Sequence, residues 1–111
     1  NIIKNKKTKR TLNKINALGF DLTFCVKKNS KNYLATLKNK KTNIQIDFYS
    51  NLPGVQLYTG QGLRYKNKLK PYQGVCLETQ HYPDAPNNKN FPSTLIKPKK
   101  LYKYFTKINI S

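Results

Sequence analysis

Asn43-Ile44-Gln45-Ile46-Asp47-Phe48-Tyr49-Ser50-Asn51-Leu52-Pro53-Gly54-Val55-Gln56-Leu57-Tyr58 sets the fold class of this chain by spacing alone. From Asn43 to Tyr49 the apolar Ile44, Ile46 and Phe48 alternate with Gln45, Asp47 and Tyr49, the period of a strand with one face buried and the other wet. Asn51 to Gly54 then predicts a turn, because Pro53 presets φ and Gly54 accepts a positive φ without a Cβ penalty. Val55 to Tyr58 resumes as a strand that ends at Gly60 and Gly62. Upstream, Tyr33, Ala35 and Leu37 alternate in the same way. Asn39-Lys40-Lys41-Thr42 is then the hairpin connection, although it lacks the Asn-Gly pair of the tightest hairpins. Downstream, Val75 to Leu77 is a short apolar strand, and Thr106 to Ile110 alternates with Ile108 and Ile110 facing inward. Residues 1 to 16 read as a loop and a weak strand, Lys66 to Tyr72 as a polar connection, and Pro83 to Pro92 as an irregular loop. Short strands separated by turn signals predict an all-β fold, an antiparallel sheet or β-sandwich.

At 111 residues the chain fits one domain or part of a larger β domain. Its 22 Lys plus Arg against 4 Asp plus Glu give a formal charge of +18, a balance that ordinarily points to nucleic acid or an anionic membrane. The cations, however, are nearly all Lys interleaved with Asn, as in Asn5-Lys6-Lys7 and Lys38-Asn39-Lys40-Lys41. Only Arg10 and Arg64 offer the planar fork suited to phosphate and base edges, and no strand face carries a repeated aromatic platform for stacking. Lys, Asn, Ile and Tyr enrichment together reads as AT-rich coding drift at the surface, so no nucleic-acid partner is expected. No run of 18 apolar residues exists for a membrane span, and no membrane partner is expected. Cys25 and Cys76 sit in apolar strand-like runs, where a free thiol behaves as a small buried hydrophobe. There is no CxxC pair, His-Cys cluster or acidic loop, and no metal site is expected.

Gly74-Val75-Cys76-Leu77-Glu78-Thr79-Gln80-His81-Tyr82-Pro83-Asp84-Ala85-Pro86-Asn87 holds two of the four acidic residues. Its short strand delivers Glu78 to a strand end, where a carboxylate can act as a positioned acid or base. Cys76 to Asn87, followed by Phe91-Pro92-Ser93, resembles the C-terminal signature of the aldose 1-epimerase (galactose mutarotase) family. Pro53-Gly54-Val55-Gln56-Leu57-Tyr58-Thr59-Gly60 is similar to a second block of that family, Gly19-Phe20-Asp21 to a third, and Leu95-Ile96-Lys97-Pro98 with Tyr102 and Thr106 to its closing strand. The likeness runs from about residue 9 to the end. It implies the C-terminal part of a large galactose-mutarotase-like β-sandwich, with residues 1 to 111 forming the C-terminal portion of a single domain. The absence of any Met fits the expectation of a fragment. Three positions depart from the family's pattern: Leu22 stands where a His follows the Asp, Gln61-Gly62 replaces an Asn-aromatic pair, and Pro98-Lys99 replaces a Pro-Gly turn.

The resemblance further implies the interconversion of α and β anomers of aldohexoses such as glucose and galactose. A base takes the proton of the C1 hydroxyl while an acid protonates the ring oxygen; the open-chain aldehyde rotates and recloses. Neither step needs a cofactor, and the partner implied is a small aldohexose. By this resemblance Glu78 is the catalytic base, partial burial moving its proton affinity toward the working pH, and it also contacts substrate. Asp21 binds sugar hydroxyls, since an ionised carboxylate accepts two donors in defined directions. The family's general-acid histidine lies upstream, so the chain alone is expected to be inactive. His81, the sole histidine, is expected at the pocket rim or in a structural role, Asp84 to fix its own loop, and Tyr58 and Tyr82 to pack the sheet. A cytoplasmic enzyme follows from the same likeness. Its competitors are a sugar-binding or structural relative without activity and a basic nucleic-acid-binding β module.

Overall fold

A hairpin of β2 (Tyr33–Lys38) and β3 (Gln45–Ser50) forms where the alternation places it. In the computed structural model, which describes residues 18–27, 30–66 and 68–111, the two strands pair antiparallel with Leu37 opposite Ile46 and Thr36 opposite Asp47. The register shifts between Tyr33 and Ala35. The connection needs no Asn-Gly pair. Asn39 N–H bonds the Ile44 carbonyl at 2.9 Å, the Asn39 side-chain oxygen accepts from Lys41 N–H at 3.0 Å, and Asn43 takes the left-handed φ of 56°, which Asn tolerates better than most residues.

The remaining strands are β1 (Asp21–Cys25), β4 (Gly54–Tyr58), β5 (Cys76–Gln80) and β6 (Thr106–Ile110). They complete two three-stranded sheets, ordered β1-β4-β5 and β2-β3-β6. Apart from one 3-10 turn at Ala85–Asn87, the described regular structure is β, the content of an all-β sandwich. Among the described residues no helix is long and apolar enough to cross a membrane. The loop and weak strand read for residues 1 to 16 lie outside the described residues.

β6 pairs antiparallel with β3, Ile110 opposite Ile46 and Ile108 opposite Phe48. Residue 111 continues the ladder through two backbone bonds with Gln45, at 2.7 and 2.9 Å. At the other end, buried Ser50 donates its hydroxyl to the Phe105 carbonyl at 2.6 Å, and Asn51 bonds Lys103 O and Phe105 N–H at 3.2 and 3.0 Å. These side chains answer the backbone groups left where β3 ends. Ile108 and Ile110 are nevertheless 54% and 73% exposed, which corrects their inward placement: alternation assigns them to the apolar face, but no described residue covers that face.

Two further expectations are corrected. Gly54 does not take a positive φ. Its lack of a side chain serves close approach instead, because a Cβ there would meet Thr23 Cγ2 at 3.0 Å, Tyr82 Cδ1 at 3.1 Å and the Gln80 carbonyl at 3.2 Å. Cys25 and Cys76 are exposed free thiols rather than buried ones, because each lies on a sheet face that the described chain leaves open. Lys99, standing where a Pro-Gly turn was noted as missing, takes φ 60° without the help of glycine.

The described chain divides into two compact units, one of residues 18–22 with Gln56–Glu78, the other of Thr23–Val55 with Thr79–Ser111. The second holds the buried apolar residues Phe48, Leu52, Val55 and Ala85. In the first, Thr59 is buried and tied to the segment leading into β1.

Candidate functional site

Asp21 opens β1, and its position is fixed from the residues before it. Phe20 N–H donates to Thr59 Oγ1 at 2.9 Å and the Phe20 carbonyl accepts from Thr59 N–H at 3.0 Å. The Thr59 hydroxyl donates to Gln61 Oε1 at 3.0 Å, and Gln61 Nε2 returns to the Phe20 carbonyl at 3.2 Å. Gly19 permits this clamp, since a Cβ there would lie 2.5 Å from Thr59 Oγ1 and 2.6 Å from Gln61 Oε1. Gln61, one of the departures from the family's pattern, thus anchors the backbone that presents Asp21.

The register follows from backbone contacts. Thr59 bonds Phe20 and Val26 bonds Pro53, so β1 and β4 run antiparallel with Asp21 beside Tyr58. Gly60 lies against the Gly74 carbonyl and Gly54 against that of Gln80, so β4 and β5 also run antiparallel, with Gln56 beside Glu78. Gln80 Nε2 donates to Thr23 Oγ1 at 3.2 Å, which puts these two side chains on one face. Side chains two apart along a strand share a face, so Asp21 and Glu78 lie on that face as well. Gln56, on the central strand, donates Nε2 to Asp21 Oδ1 at 2.7 Å. With neighbouring strands about 4.8 Å apart, β1 and β5 are separated by about 10 Å across the sheet. Two carboxylates therefore flank one amide on a single face.

Asp21 and Glu78 are both exposed and Gln56 is half-buried. The partial burial expected for Glu78 is absent among the described residues, because nothing covers this part of the face. The pattern reading gave Gln56 no role. Its signal was a lone amide between buried Val55 and half-buried Leu57 in a strand, where burial alone would favour an apolar residue.

His81 is half-buried; its Nε2 lies 3.1 Å from the Tyr102 hydroxyl and its ring stacks on Tyr102 at a centroid distance of 6.1 Å. Asp84, at φ 58°, caps its own loop: its carboxylate accepts from the Asn87 and Asn88 amides, and its carbonyl from Asn88 Nδ2 at 2.8 Å. Tyr82 packs edge-on against Phe91 at 5.1 Å. The neighbouring Cys25 thiol, with burial second, pushes the Tyr82 phenol above its ordinary value. Gly62 N–H donates to the Tyr58 hydroxyl at 2.7 Å. Among the described residues no three His, Cys, Asp or Glu side chains converge as a metal site.

The family model described as Aldose 1-epimerase matches residues 2–109. The galactose mutarotases of Mus musculus, Homo sapiens and Bos taurus are 36%, 37% and 38% identical to the chain over 95 residues. Each match covers 79% of this chain and 28% of the relative. The chain thus spans about a quarter of the length of these relatives.

Proposed function

Because this chain belongs to the aldose 1-epimerase family, we propose that the full-length protein is a mutarotase that interconverts α and β anomers of aldohexoses such as galactose and glucose. Residues 1 to 111 are the C-terminal portion of its single catalytic domain. The observation that carries this reading is the 2.7 Å bond from Gln56 to Asp21, on the sheet face that also bears Glu78.

In the proposed reaction the Glu78 carboxylate takes the proton from the C1 hydroxyl. The electron pair on that oxygen forms the aldehyde C=O as the bond from C1 to the ring oxygen breaks. The ring oxygen is protonated by an acid, which the family likeness assigns to an upstream histidine. Rotation about the bond between C1 and C2 then presents the other carbonyl face, and the same transfers run backward to close the ring. Asp21 accepts sugar hydroxyls while Gln56 holds one of its oxygens in place, so the ring is aligned before proton transfer. Side chains carry both transfers, and no cofactor is invoked. A cytoplasmic location belongs to the same reading, and fractionation of the source cells tests it.

Polarimetry on freshly dissolved α-D-glucose or α-D-galactose tests the function. Glu78→Gln keeps the shape and removes the base, so kcat falls by roughly 10²- to 10⁴-fold, the usual worth of a positioned base. Near-normal mutarotation by that variant would remove Glu78 from the base role. A wild-type protein that binds aldose without turning it over would leave a sugar-binding relative.

A further inference from the structure

The peptide unit between Phe20 and Asp21 sets the direction in which the Asp21 side chain leaves β1, because a peptide is planar and only φ and ψ turn about its ends. The carbonyl of that unit is held twice, by Thr59 N–H at 3.0 Å and by Gln61 Nε2 at 3.2 Å. Both lone pairs of the oxygen are used. The neighbouring bonds close a circuit with a single direction of donation: Phe20 N–H donates to the Thr59 hydroxyl, that hydroxyl to Gln61 Oε1, and Gln61 Nε2 back to the Phe20 carbonyl. Bonds running head to tail polarise one another, and the neutral amide of Gln61 supplies both the acceptor and the donor that the circuit needs.

A second contact grips the same segment from the far end of the loop between β4 and β5. Tyr72 N–H bonds the Gly60 carbonyl at 2.8 Å, and the Tyr72 hydroxyl donates to Leu18 O at 2.9 Å. Tyr72 does this at φ 68°, a left-handed conformation that a bulky residue adopts at a cost and keeps where surrounding bonds over-determine it. The residue is 49% exposed, so burial of its side chain does not account for the strain. Leu18, Phe20, Asp21, Thr59, Gln61 and Tyr72 all lie in the compact unit that also holds Gln56 and Glu78. From the opposite side Gln56 bonds the Asp21 carboxylate at 2.7 Å. Asp21 is thus fixed at its backbone and at its carboxylate, although it is exposed.

We propose that Gln61 and Tyr72 are positioning residues for anomer interconversion: Gln61, with Thr59, sets the Asp21 carboxylate against the sugar hydroxyls through the Phe20 carbonyl, and Tyr72 braces the residues before it. The proposal rests on the mutarotase reading of Asp21 and Glu78. Double-mutant cycles on the full-length protein test it, with kcat and KM taken from polarimetry on α-D-galactose. Gln61→Met keeps the length of the side chain and deletes its hydrogen bonds, whereas Tyr72→Phe deletes one oxygen. Each should lower kcat/KM by roughly two- to tenfold, the usual worth of a neutral hydrogen bond, with KM rising. The decisive arm repeats both changes in Asp21→Ala, where no carboxylate remains to be positioned. There each should alter kcat/KM by less than about twofold. A merely structural role predicts otherwise, since loss of folded protein lowers kcat whatever stands at position 21. Equal losses in both backgrounds, a fall in kcat alone, or no loss in the protein that keeps Asp21 would overturn the positioning role and leave the mutarotase intact. If Gln61→Met does not fold, Gln61→Asn, one methylene shorter, takes its place in the cycle with the same expected outcome. A wild-type protein inactive on both galactose and glucose would remove the mutarotase reading and this inference with it.

Discussion

In the proposed site Gln56 has a positioning part without performing the chemistry. Its amide donates to Asp21 from the strand that separates Asp21 from Glu78, so it restricts the rotamer of a carboxylate that is otherwise exposed. A hydrogen bond to a charged group contributes about 1.5–3 kcal/mol. Gln56→Ala in the full-length protein should accordingly cost roughly tenfold or more in kcat/KM, with KM rising. Asp21→Asn should both raise KM and lower kcat, since a sugar-orienting contact serves binding and alignment together. Steady-state polarimetry separates the two parameters; a variant that changes only kcat would take Asp21 out of sugar binding. The sequence exposed this site unevenly. Glu78 and Asp21 were visible as rare acids in a basic chain, whereas Gln56 was hidden because its partner lies 35 positions away and only strand pairing reveals it.

At the scale of elements, the pairing of β2 with β3 carries a pH-sensitive contact. The Thr36 hydroxyl donates to Asp47 across the two strands, and Gln45 Nε2 lies 3.1 Å from Asp47 Oδ2. Tyr33 supports the Thr36 oxygen at 2.8 Å. The Thr36 hydroxyl first, and the Gln45 amide second, hold the Asp47 carboxyl below its ordinary value of 3.8. A depressed folded-state pKa means the ionised form is favoured by folding. The contribution is therefore complete above the unfolded value and is lost as pH falls through the folded one. Urea midpoints of the full-length protein should decline on acidification below pH 3.8, and Asp47→Asn should flatten that decline. An identical acid limb in the variant would show that the pair contributes nothing. The strands themselves were legible. β3 and β6 appear where alternation put them and β4 where the turn before it put it, because the period of two and the turn chemistry belong to the local backbone and need no knowledge of partners. Burial was not legible: Ile108 and Cys76 have strand-core spacing but face no covering layer.

For the chain as a whole, the balance between core and surface is unusual. Among the described residues Phe48, Leu52, Val55 and Ala85 are the buried apolar ones, and no large side chain is fully enclosed. Burying a Val, Leu or Phe stabilises by about 1.5–3 kcal/mol, against a backbone ordering cost of about 1–2 kcal/mol for each residue fixed. So small a core does not by itself hold the described residues in place. Leu95, Ile96 and Leu101 are meanwhile 71%, 62% and 88% exposed. Purified residues 1 to 111 should associate or melt without a sharp transition, with apolar-dye binding at low temperature. A monodisperse monomer with a cooperative calorimetric peak would contradict this. The composition gave a partial warning, since 37% hydrophobic residues suffice for a sheet face, but the face a partner must cover is fixed only by three-dimensional pairing.

The open thiol of Cys76 offers a direct way to watch the site. It is exposed and not in a disulfide, and it precedes Glu78 by two positions on β5, so its sulfur emerges on the face that bears Glu78, about 7 Å along the strand. An alkylating reagent must approach through the space that a bound aldose would fill. In the full-length protein, saturating sugar should slow Cys76 modification severalfold, as resolved by peptide mass mapping. Labelling kinetics would then report occupancy without any turnover, even in Glu78→Gln, where the optical signal of mutarotation is lost.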